Sequence, residues 1–243
     1  MNDMVREDIE KTTQKGKHSM SEKIVRAEYR AYLKENISGQ ELKEQIEMYY
    51  KIASSKKEGS DLLTAAMFQY ERNVFLYIEL IEVDEKKVAT FAEELFPDLN
   101  NLFEIVPGFF EKRCWVYMTP VFWFDTPENL QQWKRIQKAG EQCGRIAILY
   151  HEKLLSYVCH HQSIVNEGLL KGDRYQFISF HENVLFSYYE EPRDREIVNV
   201  KKMEGDSKEI ALWEQVNPES HFYHFPEAEG ANFLKIPSLF TIG

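Results

Sequence analysis

The chain has 243 residues, of which 43% are hydrophobic and 14% aromatic, so it can bury a sizeable core in one large domain or two small ones. Its 40 acidic residues outnumber 30 basic residues and give a formal charge of −10. This balance excludes nucleic acid and anionic membrane surfaces as favoured partners, because both attract positive charge. No apolar run reaches the roughly 18 residues of a membrane span. The three cysteines show no CxxC spacing, which indicates reduced thiols in a cytoplasmic protein.

The first 22 residues are too polar for a signal peptide and are predicted to form a charged tail. From residue 23 to 125, apolar alternation and helical spacing predict six elements in the order βαββαβ. The first helix begins after Ser38, the two central strands form a hairpin at Arg72-Asn73, and Pro120 predicts an edge position or a bulge in the last strand. The predicted elements are a strand over 25–33, a helix over 39–53, strands over 62–70 and 74–80, a helix over 87–105 that is broken or restarted at Pro97, and a strand over 113–124.

Residues 126–243 are predicted to contain a linker helix, starting near Asp125 and ending near Glu141, and then the same order again. The predicted elements are a strand over 145–150, a helix over 152–170, strands over 175–180 and 184–189, a helix over 207–216 and a strand over 232–242.

The two predicted hairpins resemble each other, since residues 70–76 can be aligned with residues 180–186. The closing strands also agree, with residues 119–122 matching residues 236–239. We therefore predict an α+β fold of tandem ferredoxin-like βαββαβ repeats. The repeats are expected to pack within one chain as the α+β barrel that simpler proteins form as dimers, with a ligand in the barrel interior.

Polar side chains on the first strand are candidates for binding that ligand. Arg26, Glu28 and Arg30 alternate with apolar residues, so they share one face of the strand. If the apolar face meets the helices, the polar face lines the barrel and can bind a hydroxylated or charged molecule together with Tyr188 of the second hairpin. The alternative is a sheet face in water. The aromatic cluster at residues 115–124 is typical of strand core and could also line an apolar ligand cavity.

Tyr157 and His161 are the best candidates for catalysis. They lie four residues apart in a predicted helix, so the phenol and the imidazole share a face. An imidazole can give or take a proton at neutral pH, and a neighbouring tyrosine can donate or orient a hydrogen bond. The alternative is a packed tyrosine beside a solvent-facing histidine.

The segment Tyr157-x-x-x-His161-x-x-Ile164-x-x-Glu167, followed by a hairpin turning at residues 183–186, resembles the L-rhamnose mutarotase family. The resemblance implies ferredoxin-like protomers that pair as α+β barrels. It also implies interconversion of sugar anomers without a metal or a cofactor. By this resemblance, His161 and Tyr157 would be the acid/base pair that opens and recloses the hemiacetal.

Two other functions stay open at this point. One is a haem-binding tandem barrel with a histidine as axial ligand. The other is a non-catalytic protein that binds a small ligand. The pair His221-x-x-His224 lacks further metal ligands at a suitable spacing, so no metal site is predicted. The expected partner is a small molecule such as a sugar, bound by a monomer or a homodimer.

Overall fold

The computed structural model describes residues 23–55, 62–81, 85–108, 111–136, 140–199 and 205–242, so the predicted tail at 1–22 lies outside the described residues. The helices are α1 (Gly39–Ser55), α2 (Glu85–Val88), α3 (Phe91–Leu95), α4 (Leu130–Trp133), α5 (Leu154–Glu167) and α6 (Lys208–Gln215). The strands are β1 (Ile24–Tyr32), β2 (Leu62–Tyr70), β3 (Asn73–Ile81), β4 (Val116–Tyr117), β5 (Thr119–Trp123), β6 (Glu141–Leu149), β7 (Gly172–Asp173), β8 (Phe177–His181), β9 (Val184–Glu191), β10 (Ile197–Val198), β11 (Phe222–Tyr223), β12 (Leu234–Ile236) and β13 (Ser238–Ile242). The fold is α+β, as predicted.

Two larger antiparallel sheets organise the chain. The first has the order β13-β2-β3-β1-β4, and the second has the order β11-β6-β9-β8-β5, with β12 also paired to β6. The closing strands pass from one sheet to the other. The segment β4–β5 begins on β1 of the first sheet and ends on β8 of the second. In the same way, β12 pairs with β6 of the second sheet, and β13 continues onto β2 of the first. Each sheet therefore receives an edge strand from the other half of the chain.

The two sheets face each other across an aromatic core. Phe68, Phe75 and Tyr77 of the first sheet pack with Phe186 and Tyr188 of the second. The Tyr77 and Tyr188 rings stack with their centroids 3.7 Å apart. Successive residues of a strand point to opposite faces of the sheet, so the residues next to these aromatic residues in the sequence pack on the outer face of each sheet. There, α1 and α3 cover the first sheet and α5 and α6 cover the second. Both faces of the central strands are thus buried.

Gly144 of β6 lets the sheets approach closely. A Cβ atom at this position would lie 2.6 Å from the ring of Phe68 on the opposite sheet, closer than real Cβ contacts. The absence of a side chain here is therefore a packing requirement.

Most predicted strands and the first helix are confirmed, including the Ser38 cap, whose hydroxyl accepts a hydrogen bond from the Glu41 N–H. Pro120 lies on the edge strand β5, where the register shifts between Pro120 and Phe122, so that prediction is also confirmed. Among the described residues, no helix has both the length and the apolar character needed to cross a membrane.

Two predicted helices are wrong in extent. The region 87–105 is interrupted near Pro97, as predicted, but it contains only the short helices α2 and α3 before that point and a 3₁₀ turn after it. The linker helix is a single turn, α4, which Asn129 caps and which ends at Lys134. The reason lies in tertiary contacts. Trp133 is buried in the core, and Arg135 reaches two carboxylates between the sheets, which a continuing helix would not allow.

Candidate functional site

A cavity of about 400 Å³ lies where the start of β1 meets β5 and β8, at the margin of the space between the sheets. Both halves of the chain contribute to it. It is lined by Lys23, Ile24, Val25, Arg26, Val88, Ala89, Tyr117, Pro120, Trp123, Asp125, Thr126, Pro127 and Phe177. This volume lies within the range of pockets that bind small organic molecules.

The cavity wall is mainly apolar. The Trp123 and Phe177 rings lie 6.2 Å apart between centroids and are inclined by 33°. The predicted aromatic cluster at 115–124 supplies Trp123 and Tyr117 to this wall, whereas Trp115 packs under the helices of the first sheet. Such a wall favours a ligand with a flat or compact apolar body.

Arg26 forms the polar end of the cavity. Its Nε donates to the Tyr77 hydroxyl at 2.9 Å, and its Nη1 donates to the Asp125 carbonyl at 3.3 Å. Its Nη2 donates to the Tyr175 carbonyl. The guanidinium also lies 4.6 Å from the Phe177 ring centroid. These contacts use three of its five N–H donors and hold the cation in one orientation.

Tyr117 and Asp125 also line the cavity, as do the polar residues Lys23 and Thr126. Burial raises the pKa of Tyr117, and the nearby Glu28 carboxyl raises it further, so the phenol stays a neutral donor. Burial also raises the pKa of Asp125, although the Arg174 guanidinium, 3.1 Å from Oδ2, opposes this shift. The cavity therefore offers a fixed cation and a neutral hydroxyl against an apolar wall.

Of the predicted ligand-binding residues, Arg26 lines the cavity, Glu28 and Tyr188 are fully buried between the sheets, and Arg30 lies near the end of β1. Glu28 is fully buried. Its Oε1 accepts from the Tyr188 N–H at 3.2 Å, and its Oε2 has no hydrogen-bond partner among the described residues. Burial raises the pKa of Glu28 well above its usual value. Arg30 instead binds Asn73 Oδ1 at 2.8 Å and Glu182 at 3.3 Å. The expected polar face thus lies inside the protein, but only one of its residues is at the cavity.

A network of buried ion pairs lies beside the aromatic core. Arg135 pairs with Glu79 at 2.5 Å and with Glu190 at 2.7 Å, and Arg195 continues the chain of charges to Glu196 at 3.3 Å. Burial alone would raise the pKa of Glu79, yet the Arg135 guanidinium lowers it to about 2. Sequence reasoning missed this network, because Glu79 and Arg135 are 56 positions apart and neither sits in a motif. These ion pairs occupy space between the two sheets, and the cavity lies at the margin of that space.

Tyr157 and His161 lie elsewhere. They belong to α5 on the outer face of the second sheet, where Tyr157 packs with residues of β6 and β8. Their rings stack at 3.8 Å, and His161 Nδ1 lies 2.9 Å from the Tyr157 carbonyl oxygen. The Trp213 ring is 4.8 Å from the imidazole. The two side chains are thus adjacent, as their spacing predicts, but neither lines the cavity.

The surroundings of this pair keep both groups neutral. Burial lowers the pKa of His161 to about 4, against a usual value of 6.5. Burial also raises the pKa of Tyr157. Glu167, the last residue of the motif, accepts a hydrogen bond from the Lys208 N–H at 3.0 Å and so caps the first turn of α6. A base with so low a pKa accepts a proton poorly at pH 7.

Two of the other histidines have polar contacts. His221 Nε2 lies 3.1 Å from the Ser156 hydroxyl, and His224 lies 3.7 Å from Glu219. Within the described part of the chain, no group of three or more His, Cys, Asp or Glu side chains is placed to hold a metal ion.

No family model and no curated protein matches the chain. Among solved structures, the chain is similar to a protein of Fusobacterium nucleatum subsp. nucleatum ATCC 25586 described as a putative monooxygenase. The sequences are 11% identical, the TM-score is 0.40, and the match covers 91% of this chain and 94% of the other. A similarity of this degree carries no argument about function.

Proposed function

We propose that this protein binds a small, mainly apolar organic molecule in the cavity between β1, β5 and β8. The observation that carries the proposal is the composition of the cavity, in which the rings of Trp123 and Phe177 form one wall and the fixed guanidinium of Arg26 forms the polar end. Pockets of this kind gain affinity from the apolar wall and orientation from a few polar groups.

The lining favours an aromatic acid or a phenol. The ring would lie against Trp123 and Phe177, and its carboxylate or hydroxyl would point to Arg26 and the Tyr117 hydroxyl. A free monosaccharide fits this lining less well. Its hydroxyl groups project around the whole ring, and each hydroxyl buried without a partner costs about 1–3 kcal/mol.

We also propose that the two sheets descend from a tandem repeat and form an α+β barrel. Each half of the chain has the same strand order. In the first half, β1 lies between β3 and β4, and in the second half the corresponding strand β6 lies between β9 and β12. The closing strands also follow one pattern: β4–β5 passes from the first sheet to the second, and β12–β13 passes from the second sheet to the first. A barrel of this design is complete within one chain and needs no second copy.

Mutarotase activity is a second candidate, which the contact between Tyr157 and His161 suggests although burial keeps both groups neutral. Its test is saturation-transfer NMR of L-rhamnose and L-fucose with the wild type and with His161→Ala. Anomer exchange that the variant loses would support this candidate, and equal exchange rates with and without protein would end it. The haem alternative has less support, because the described residues that line the cavity include no histidine.

The binding proposal is tested by titrating benzoate, 4-hydroxybenzoate and 1-naphthoate while following tryptophan fluorescence. Trp123 lies in the cavity, so Trp123→Phe should remove the response while binding is still seen by calorimetry. Ala89→Phe places a ring in the cavity and should abolish saturable binding. The matched control is Ala231→Phe at an exposed site, which should bind as the wild type does. Equal affinity in Ala89→Phe and the wild type would refute the proposed site.

A further inference from the structure

A second cluster of polar groups lies on the outer face of the second sheet, around the Tyr189 ring. The guanidinium of Arg145 lies 5.1 Å from the Tyr189 ring centroid, and that of Arg193 lies 5.2 Å from it. Arg145 shares its face of β6 with Ala147, which packs beneath α5, so it points away from the space between the sheets. One phenol ring is therefore flanked by two arginines in a protein whose formal charge is −10.

Arg145 is half-buried and has few partners. Its Nε donates to the Ser187 hydroxyl at 3.4 Å, and the Phe233 ring lies 4.5 Å from the guanidinium. Among the described residues, no carboxylate lies within ion-pair distance of Arg145. Burial, and then the positive charge of Arg193, lower the pKa of Arg145 to about 10. A guanidinium has five N–H donors, and among the described residues only the Nε of Arg145 donates to a protein acceptor, so its Nη donors remain for water or a ligand.

The guanidinium of Arg193 also has few hydrogen-bond partners in the protein. Its Nη2 donates to the neutral side chain of Gln176, and Glu191 accepts from its backbone N–H rather than from its guanidinium. Within the described part of the chain, Arg193 forms no ion pair. The nearby carboxyl of Asp173 balances one of the two positive charges, but it is itself buried, and its Oδ1 is taken by the Tyr175 N–H. Among the described residues, neither this carboxyl nor that of Glu191 forms an ion pair with either arginine.

We propose that Arg145 and Arg193 form a binding site for the oxyanion of a small molecule, either a carboxylate or a phosphate. Arginine forks bind both groups through two parallel hydrogen bonds, which match the planar arrangement of the donors. The Ser187 hydroxyl accepts from the Arg145 Nε and is itself fully buried, so it orients the guanidinium without reaching the anion. The rings of Tyr189 and Phe233, with centroids 5.1 and 4.5 Å from the Arg145 guanidinium, hold the cation in place without using its N–H donors.

This site is separate from the cavity of the proposed function. Gly144 and Ile146 of β6 face the space between the sheets, whereas Arg145 lies on the opposite side of the same strand. The cavity-filling variant Ala89→Phe should therefore leave oxyanion binding unchanged, and loss of one site does not imply loss of the other.

The test is calorimetric titration of the full chain with inorganic phosphate and, separately, with acetate, at constant ionic strength set by sodium chloride. Saturable binding of one probe would identify the preferred oxyanion. Arg145→Gln and Arg193→Gln should each weaken that binding by about 10-fold or more, the effect of losing a charge-assisted hydrogen bond. Arg193 is exposed, so its variant is expected to fold even if Arg145→Gln does not.

The matched control is Arg72→Gln, which removes the same charge from an arginine already paired with Glu104 in the first half of the chain. It should keep wild-type affinity. The proposal is overturned if the wild type binds neither probe saturably. It is also overturned if Arg193→Gln binds as tightly as Arg72→Gln, since the attraction would then be a general effect of charge.

Discussion

The neutral state of His161 predicts a specific loss of stability in acid. The imidazole is stacked on Tyr157 and enclosed by Trp213 and Phe122, and burial lowers its pKa from 6.5 to about 4. The unfolded chain takes up this proton near pH 6.5, and the folded chain does so only near pH 4. Between these values the unfolded state binds more protons, so acidification lowers the free energy of unfolding. The loss begins as the pH falls through 6.5 and is complete below about pH 4.

The size of the effect follows from the two pKa values. Each unit of difference corresponds to about 1.4 kcal/mol. Between pH 7 and pH 5, most of the unfolded imidazole becomes charged while most of the folded imidazole stays neutral. The contribution of His161 to the free energy of unfolding therefore falls by about 2 kcal/mol over this interval.

Urea unfolding at pH 7 and pH 5 measures this change in the wild type and in His161→Phe, whose ring keeps the stack but cannot titrate. The decrease in the wild type should exceed that in the variant by about 2 kcal/mol. Other titrating groups cancel in the difference. As a control, His151→Gln removes an exposed imidazole and should keep the wild-type decrease. Identical pH dependence in His161→Phe and the wild type would refute the account of a buried neutral imidazole.

Three further predictions concern the interior. Arg135→Met leaves the buried Glu79 without its paired cation, while Glu190 keeps its pair with Arg195, and it should lower the free energy of unfolding by about 3–5 kcal/mol in urea titrations. Gly144→Ala forces a methyl group against the Phe68 ring and should cost about 1–3 kcal/mol, seen as a lower Tm in calorimetry. Because burial raises the pKa of Glu28, the folded state resists its ionisation, and stability is lost as the pH rises above the usual value near 4.5. Glu28→Gln should therefore be more stable than the wild type at pH 8, and the gap should shrink at pH 5.

Each of these has a contrary outcome. A loss below about 1 kcal/mol in Arg135→Met would mean that the ion pairs behave like exposed ones. An unchanged Tm in Gly144→Ala would mean that the sheets can separate at this point without cost. A gap between Glu28→Gln and the wild type that does not vary with pH would show that the carboxyl is not held protonated.

Local patterns predicted much of this structure. The alternation of apolar and polar residues over 25–33 correctly predicted β1 and its two faces, and Arg72-Asn73 correctly predicted the turn of the first hairpin. Both features depend only on residues that are neighbours in the sequence. The proline in β5 fixed an edge position, since it cannot donate to a second strand. Helical spacing likewise brought Tyr157 and His161 into contact. Each of these features involves residues within about ten positions of one another.

The sequence by itself therefore determined the α+β class, the order of most elements and the adjacency of Tyr157 and His161. Only the tertiary structure decided that β5 and β13 cross to the opposite sheets, that the linker forms one helical turn and that the cavity joins Arg26 to Trp123. These features depend on contacts between distant segments, such as Arg135 with Glu79 at 56 positions. The burial of Trp133 and the ion pairs of Arg135 contribute more free energy than helix propensity does, so the linker helix ends after one turn. A local sequence pattern does not identify the partner of a buried charge, because that partner is distant in the sequence.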